Sequence, residues 1–145
     1  MALIKEIESI KNNFKADVVE TEIKSPKRAT VTINENAIVK AADYLFNKLK
    51  LRFITASALH TKRGFEIYYH FSNDKSGLVI NLHVILSKEK PEIESLTSIF
   101  EAANWIEREM HEILGINFLN HPNLEKLISQ GNWAEGVYPY RNENL

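Results

Sequence analysis

At 145 residues, with 44% hydrophobic and 26% charged residues, the chain has the size and composition of one soluble globular domain. A net charge of −1, with lysines and arginines scattered through different elements, excludes a general electrostatic attraction to nucleic acid. The absence of cysteine excludes disulfides, thiolate zinc sites, iron–sulfur ligation and cysteine nucleophiles.

In chain order, residues 2–15 read as an amphipathic helix with Leu3, Ile7, Ile10 and Phe14 on one stripe, not as a signal peptide. Residues 17–24 alternate as a strand through Val19, Thr21 and Ile23; Ser25-Pro26 turns the chain into a second strand over 28–33, and the two can form a hairpin. Asn34 or Asn36 caps a second helix reaching Lys48, with Ile38, Ala41, Ala42, Leu45 and Leu49 inward. Three strands follow over 52–59, 65–71 and 78–86, the last two an antiparallel hairpin closed by a loop ending at Gly77. The 78–86 run is broken by Asn81 and His83 and is too short to span a bilayer.

Residues 101–114 carry the main helix, with Ala102, Ala103, Ile106, Met110 and Ile113 on one face; Ser98 and Glu101 have capping-box spacing at its start, and Gly115 ends it. His121-Pro122 forces an extended or turn geometry, and 122–129 read as a short last helix. Residues 131–145 lack periodicity yet carry Trp133, Tyr138 and Tyr140, so they are read either as a tail folded over the domain's own core or as one ordering on another subunit. The expected fold is α+β: a mixed or antiparallel sheet of about four to five strands with helices packed on it. The expected organisation is one domain over 1–130 and an irregular tail over 131–145 that contacts a partner.

The charges of the main helix are the first candidate for chemistry. Glu107, Arg108, Glu109, His111 and Glu112 crowd two turns; Glu107 and His111 share a face, and Arg108 can pair with Glu112. A metal reading fails the HExxH pattern, because Gly115 stands where the second histidine belongs. It fails the Glu-x-x-His pattern too, because Arg108 precedes His111 by three. A salt-bridged face and a partner-facing surface beside Trp105 remain, with a small stand-alone enzyme or metal-binding protein using His111 and Glu107, Glu109 and Glu112 as the alternative. His70 and His83 lie on the two arms of a hairpin, and His60 stands near Ser57 and Thr55, but no nucleophile elbow, P-loop or dinucleotide fingerprint accompanies them. From its residues alone, the chain is a cofactor-free interaction module.

The run from Trp105, WIEREMHEILGINFLNHPNL, resembles the W-x-E-R-E-x-x-D-x-x-G-[IV]-x-F-x-x-H-P-x-L motif of the 30 kDa (C) subunit of respiratory complex I. That family includes the equivalent small subunits of energy-converting, membrane-bound nickel–iron hydrogenases. Upstream, Pro91, Ser95-Leu96-Thr97, Phe100 and Ala103-Asn104-Trp105 are similar to its P-x-I-x-S-L-T run; downstream, Trp133, Glu135-Gly136 and Pro139 to Arg141 echo its W-x-x-G-x-P-L-R ending. Two positions depart from the pattern: Glu112 stands where Asp is usual and His111 where an aromatic is usual.

The resemblance implies a non-catalytic structural subunit in the hydrophilic arm of a membrane-bound oxidoreductase, peripheral on the cytoplasmic side and touching the membrane only through its complex. It implies no cofactor on this chain: iron–sulfur clusters, and quinone or nickel–iron, belong to its neighbours. The implied partners are the large subunit with the quinone or nickel–iron site and a small iron–sulfur subunit. The implied partner-binding residues are Trp105, Glu107, Arg108, Glu109, Glu112, Gly115, His121, Pro122, Trp133, Tyr138, Tyr140 and Arg141.

Overall fold

A computed structural model of the protein describes residues 2–124, 137–142 and 144, with side chains from Lys5 onward. Helix α1 (Ala2–Phe14) is followed by the hairpin β1 (Val18–Ser25) and β2 (Arg28–Ile33). A 3-10 turn over Glu35–Ala37 opens α2 (Ile38–Asp43), which widens into a π-helical turn over Tyr44–Lys48. The long strands β3 (Arg52–Thr61), β4 (Gly64–Asn73) and β5 (Leu78–Leu86) form a meander. Strand β6 (Glu92–Glu94), helix α3 (Ala103–Leu114) and β7 (Asn117–Leu119) complete the described elements.

The main sheet has the order β1-β2-β5-β4-β3. Strand β2 lies parallel to β5 and every other neighbour is antiparallel, so the expected mixed α+β sheet is the one formed. Alternation sorts its side chains into two faces. One carries Ala29, Val31, Ile33, Phe65, Ile67, Tyr69, Phe71 and the even-numbered residues of β5 from Leu78 to Leu86, all buried. Helix α1 packs on this face at β2, α2 at β5 and α3 at β3, joining Ile7, Ile10, Ile38, Ala41, Leu45, Met110 and Leu114 to a single core.

The other face is polar and wired together. Ser57 Oγ lies 3.0 Å from His70 Nε2, His70 Nδ1 lies 2.8 Å from Asn81 Oδ1, and Asn81 Nδ2 donates to Thr30 Oγ1 at 3.3 Å. A second row runs from Thr61 to Glu66 at 2.5 Å, Glu66 to His83 at 2.7 Å and His83 to Thr32 at 2.8 Å. Burial pushes the Glu66 carboxyl up, but hydrogen bonds from Thr61, Arg63 and His83 outweigh it and hold the group below its ordinary value. His70 and His83, on the two arms of the β4-β5 hairpin, are each held by other partners. His60 lies on the opposite face from Ser57 and stacks on Phe65.

Four local expectations are corrected. The Ser98–Glu101 capping box does not form: residues 98–102 are not helical, and α3 starts at Ala103 with no side-chain cap. The N–H groups of Ala103 and Asn104 are satisfied instead by the carbonyls of Phe100 and Glu101. The inward stripe of α3 is rotated: Ala102 is exposed, Ile106 and Ile113 are half-buried, and Ala103, Glu107, Met110 and Leu114 point in. Neither Asn34 nor Asn36 makes a side-chain cap; Asn34 bonds Asp17 through its backbone and its amide. Of the expected last helix, Pro122 to Leu124 are not helical and the rest lies outside the described residues.

Candidate functional site

The similarity-bearing segments 91–97 and 103–122 meet around Glu107. Strands β6 and β7 pair in parallel with Ile93 opposite Phe118, and the Ser95 N–H donates to the Leu119 carbonyl at 2.9 Å. That pairing carries Ser95, Leu96 and Thr97 across the inner face of α3. Glu107 is 0% exposed. Its Oε1 accepts from Ser95 Oγ at 2.6 Å and its Oε2 from the Leu96 N–H at 2.8 Å. Ser95 Oγ in turn accepts from the Thr97 N–H at 3.1 Å and lies 2.8 Å from Thr97 Oγ1.

His121 closes the other side. Its side chain is fully buried, with Nε2 3.0 Å from the Asn104 carbonyl and 3.8 Å from Glu107 Oε1. Its Nδ1 accepts from the Asn123 N–H at 3.0 Å, so the hydrogen-bond pattern assigns the proton to Nε2. The Tyr69 hydroxyl is buried with no hydrogen-bond partner among the described residues, and burial together with the charge of Glu107 pushes its pKa well up. Burial also raises the Glu107 carboxyl to about 7, against the pull of the Leu96 N–H and Ser95 and with the help of the Glu94 charge.

At the other end of α3 the C-terminal residues return to the domain. Gly115 has φ 77°, the left-handed turn that ends the helix, and its N–H bonds the His111 carbonyl at 2.9 Å. His111 Nδ1 lies 2.8 Å from the Ile116 carbonyl and so carries a proton to donate. Arg141 Nε donates to the Leu114 carbonyl at 2.6 Å, while its guanidinium lies 4.9 Å from the Phe65 ring centroid and 4.4 Å from that of Tyr138. The Tyr140 N–H bonds the Ile113 carbonyl at 3.0 Å, and the Asn142 N–H bonds His60 Nδ1 at 2.9 Å. A Cβ on Gly115 would stand 2.6 Å from Arg141 Nη2 and 2.7 Å from the Tyr138 ring, so position 115 needs glycine for space as well as for its dihedral.

The residues expected to bind a partner therefore divide. Glu107 and His121 converge with Ser95 and Thr97; Gly115, Tyr138 and Arg141 converge at the C-terminal end of α3. Glu112 is buried, Arg108 and Glu109 are half-buried, and Arg108 and Glu112 each have an interaction partner. Pro122 is exposed, and Trp105 and Tyr140 present their rings outward, each 69% exposed. Trp133, Glu135 and Gly136 lie outside the described residues. His111 and Glu107 engage different partners, and no cluster of three histidine, aspartate or glutamate side chains among the described residues could hold a metal ion. The structure adds Ser95, Thr97, Asn104 and Tyr69 to the site. The signal for the first two was the S-L-T run itself: the Ser95 hydroxyl binds the inward carboxyl and the Thr97 hydroxyl binds Ser95.

The respiratory-chain NADH dehydrogenase 30 kDa subunit family model matches residues 31–144. The C subunit of the F420H2 dehydrogenase of Methanosarcina mazei is 31% identical over 140 residues, covering 94% of this chain and 88% of that one. The C subunit of the NADH-quinone oxidoreductase of Citrifermentans bemidjiense is 29% identical over 109 residues, covering 72% of this chain and 68% of its own. A chain of the membrane-bound sulfane sulfur reductase, an archaeal respiratory membrane complex, shares the fold with a TM-score of 0.75 at 20% identity, over 97% of this chain and 84% of that chain. With a family model spanning both of the segments that meet at Glu107, the chain belongs to the respiratory-chain NADH dehydrogenase 30 kDa subunit family.

Proposed function

We propose that this protein is a non-catalytic assembly subunit in the hydrophilic arm of a membrane-bound oxidoreductase, docked against the large subunit that holds the quinone or nickel–iron site. The observation that carries the docking reading is Trp105: an indole 69% exposed on the helix whose inward carboxyl anchors the family motif. A large aromatic held outward on a rigid helix is the kind of anchor that dominates protein interfaces. Tyr140, also 69% exposed and tied by its backbone to the same helix, extends the surface. Relatives that are themselves named as subunits of a dehydrogenase and of a quinone oxidoreductase support the assembly reading. No helix among the described residues is long and apolar enough to cross a membrane; on this proposal the subunit attaches peripherally, on the cytoplasmic side, through its complex. Redox cofactors, iron–sulfur clusters with quinone or nickel–iron, are assigned to the large subunit and a small iron–sulfur subunit beside it.

Purification from native membranes in mild detergent, with the copurifying chains identified by mass spectrometry, tests this. A large subunit with nickel-ligating cysteine pairs, or one with a quinone site and no such pairs, is the expected companion. Recovery of the protein alone would overturn the assembly reading.

A further inference from the structure

We propose that Glu107 is a proton-exchange site: a buried carboxyl that takes up and releases one proton through a relay of two hydroxyls, Ser95 and Thr97, leading to the surface. Glu107 has no exposed area, so a proton can reach it only through other groups. Thr97 is half-buried, its Oγ1 lies 2.8 Å from Ser95 Oγ, and Ser95 Oγ lies 2.6 Å from Glu107 Oε1. These are normal to short O–H···O distances, and a hydroxyl both donates and accepts.

The step balances without any oxygen moving. With the carboxylate ionised, the Thr97 hydroxyl donates to Ser95 and the Ser95 hydroxyl donates to Oε1. A proton arriving at Thr97 Oγ1 displaces the one already there onto Ser95 Oγ, and the Ser95 proton passes to Oε1. Each hydroxyl oxygen loses one O–H bond and gains another, and no electrons are transferred. The carboxylic acid then donates back to Ser95 Oγ, and both bonds of the relay have reversed. Oε2 keeps its hydrogen bond from the Leu96 N–H in either state.

Ionisable groups lie near the carboxyl on β4, on β6 and after β7. Tyr69 of β4 brings a buried hydroxyl, Glu94 of β6 a charge that opposes ionisation, and His121, after β7, an Nε2 at 3.8 Å. Burial is the largest influence and places the carboxyl at about 7, so uptake and release occur near neutral pH.

The test is a pH titration of the full chain labelled with ¹³C at the glutamate carboxyls, followed by NMR, with Glu107 assigned through its own backbone amide. One glutamate, Glu107, is expected to titrate near 7. Glu107→Gln should remove that titration and keep the fold, because an amide can accept from the Leu96 N–H and donate to Ser95. Thr97→Val leaves both direct partners of Glu107 in place but cuts the relay. It should hold the midpoint within about half a unit while the single moving resonance becomes two slowly exchanging ones. If Glu107 titrates with the ordinary surface carboxylates, the proton site is overturned. If Thr97→Val leaves exchange as fast as in the wild type, the relay is overturned.

Discussion

A carboxyl group taken fully out of water resists ionisation, and two well-placed donors at Glu107 offset that resistance only in part. The consequence for stability has a definite sign. The folded protein holds the Glu107 proton up to about 7 and the unfolded chain only up to about 4.5, so between those values unfolding releases a proton. The contribution is fully present below about 4.5 and is lost as pH rises through about 7, a change on the order of 3 kcal/mol. Urea unfolding at a series of pH values should show this decline in the wild type and its disappearance in Glu107→Gln. Gly115 is the second residue whose identity the structure dictates. Gly115→Ala combines a positive φ with a collision against Tyr138 and Arg141, and should destabilise the fold by roughly 1–3 kcal/mol in the same urea assay.

Among the elements, α3 is held at its middle and at its last turn by other segments of the chain. Ser95 and Leu96 bind Glu107 from the N-terminal side of the chain, and Arg141 caps the last turn from the C-terminal side. Arg141→Ala removes a charged donor from a helix carbonyl and a cation from between two rings; a loss of about 1–2 kcal/mol is expected, with faster amide exchange confined to the end of α3. Arg141→Lys should not restore protection, because an ammonium lacks the planar face that lies between Phe65 and Tyr138. On the open face of the sheet the sign of the pH effect is opposite to that at Glu107. The Glu66 carboxyl lies below its ordinary 4.5 because Thr61, Arg63 and His83 outweigh burial. Its ionised form therefore stabilises the fold above 4.5, and the contribution is lost as pH falls through the lower folded value. Glu66→Gln should unfold with less dependence on pH in the acid range, measured by circular dichroism.

For the whole molecule, the proposed role in a complex predicts a separation between folding and assembly. Trp105 is 69% exposed, so Trp105→Ala should leave the stability of the isolated chain within about 0.5 kcal/mol of wild type. The same variant should recover markedly less of the large subunit from native membranes; undiminished recovery would place the docking surface elsewhere.

The sequence by itself determined the five strands of the main sheet and the β1-β2 and β4-β5 hairpins, though not the short β6 and β7, because alternation along β2, β4 and β5 separates a buried apolar face from a polar one. It also determined the end of α3, since a glycine takes up the left-handed turn that closes a helix at no steric cost, and the family, since the 105–122 run keeps its residue types in register. The inward stripe of α3 was not legible. A carboxylate reads as a surface residue until its donors are known, and those donors sit on a segment whose position depends on β6 pairing with β7. The parallel contact of β2 with β5 was hidden for a related reason: strands so far apart in sequence leave no local signal of being neighbours. Tertiary structure alone decided that Glu107, Ser95, Thr97 and His121 share one buried site, and that Arg141 folds back onto α3, because each depends on contacts between segments that local pattern treats as independent.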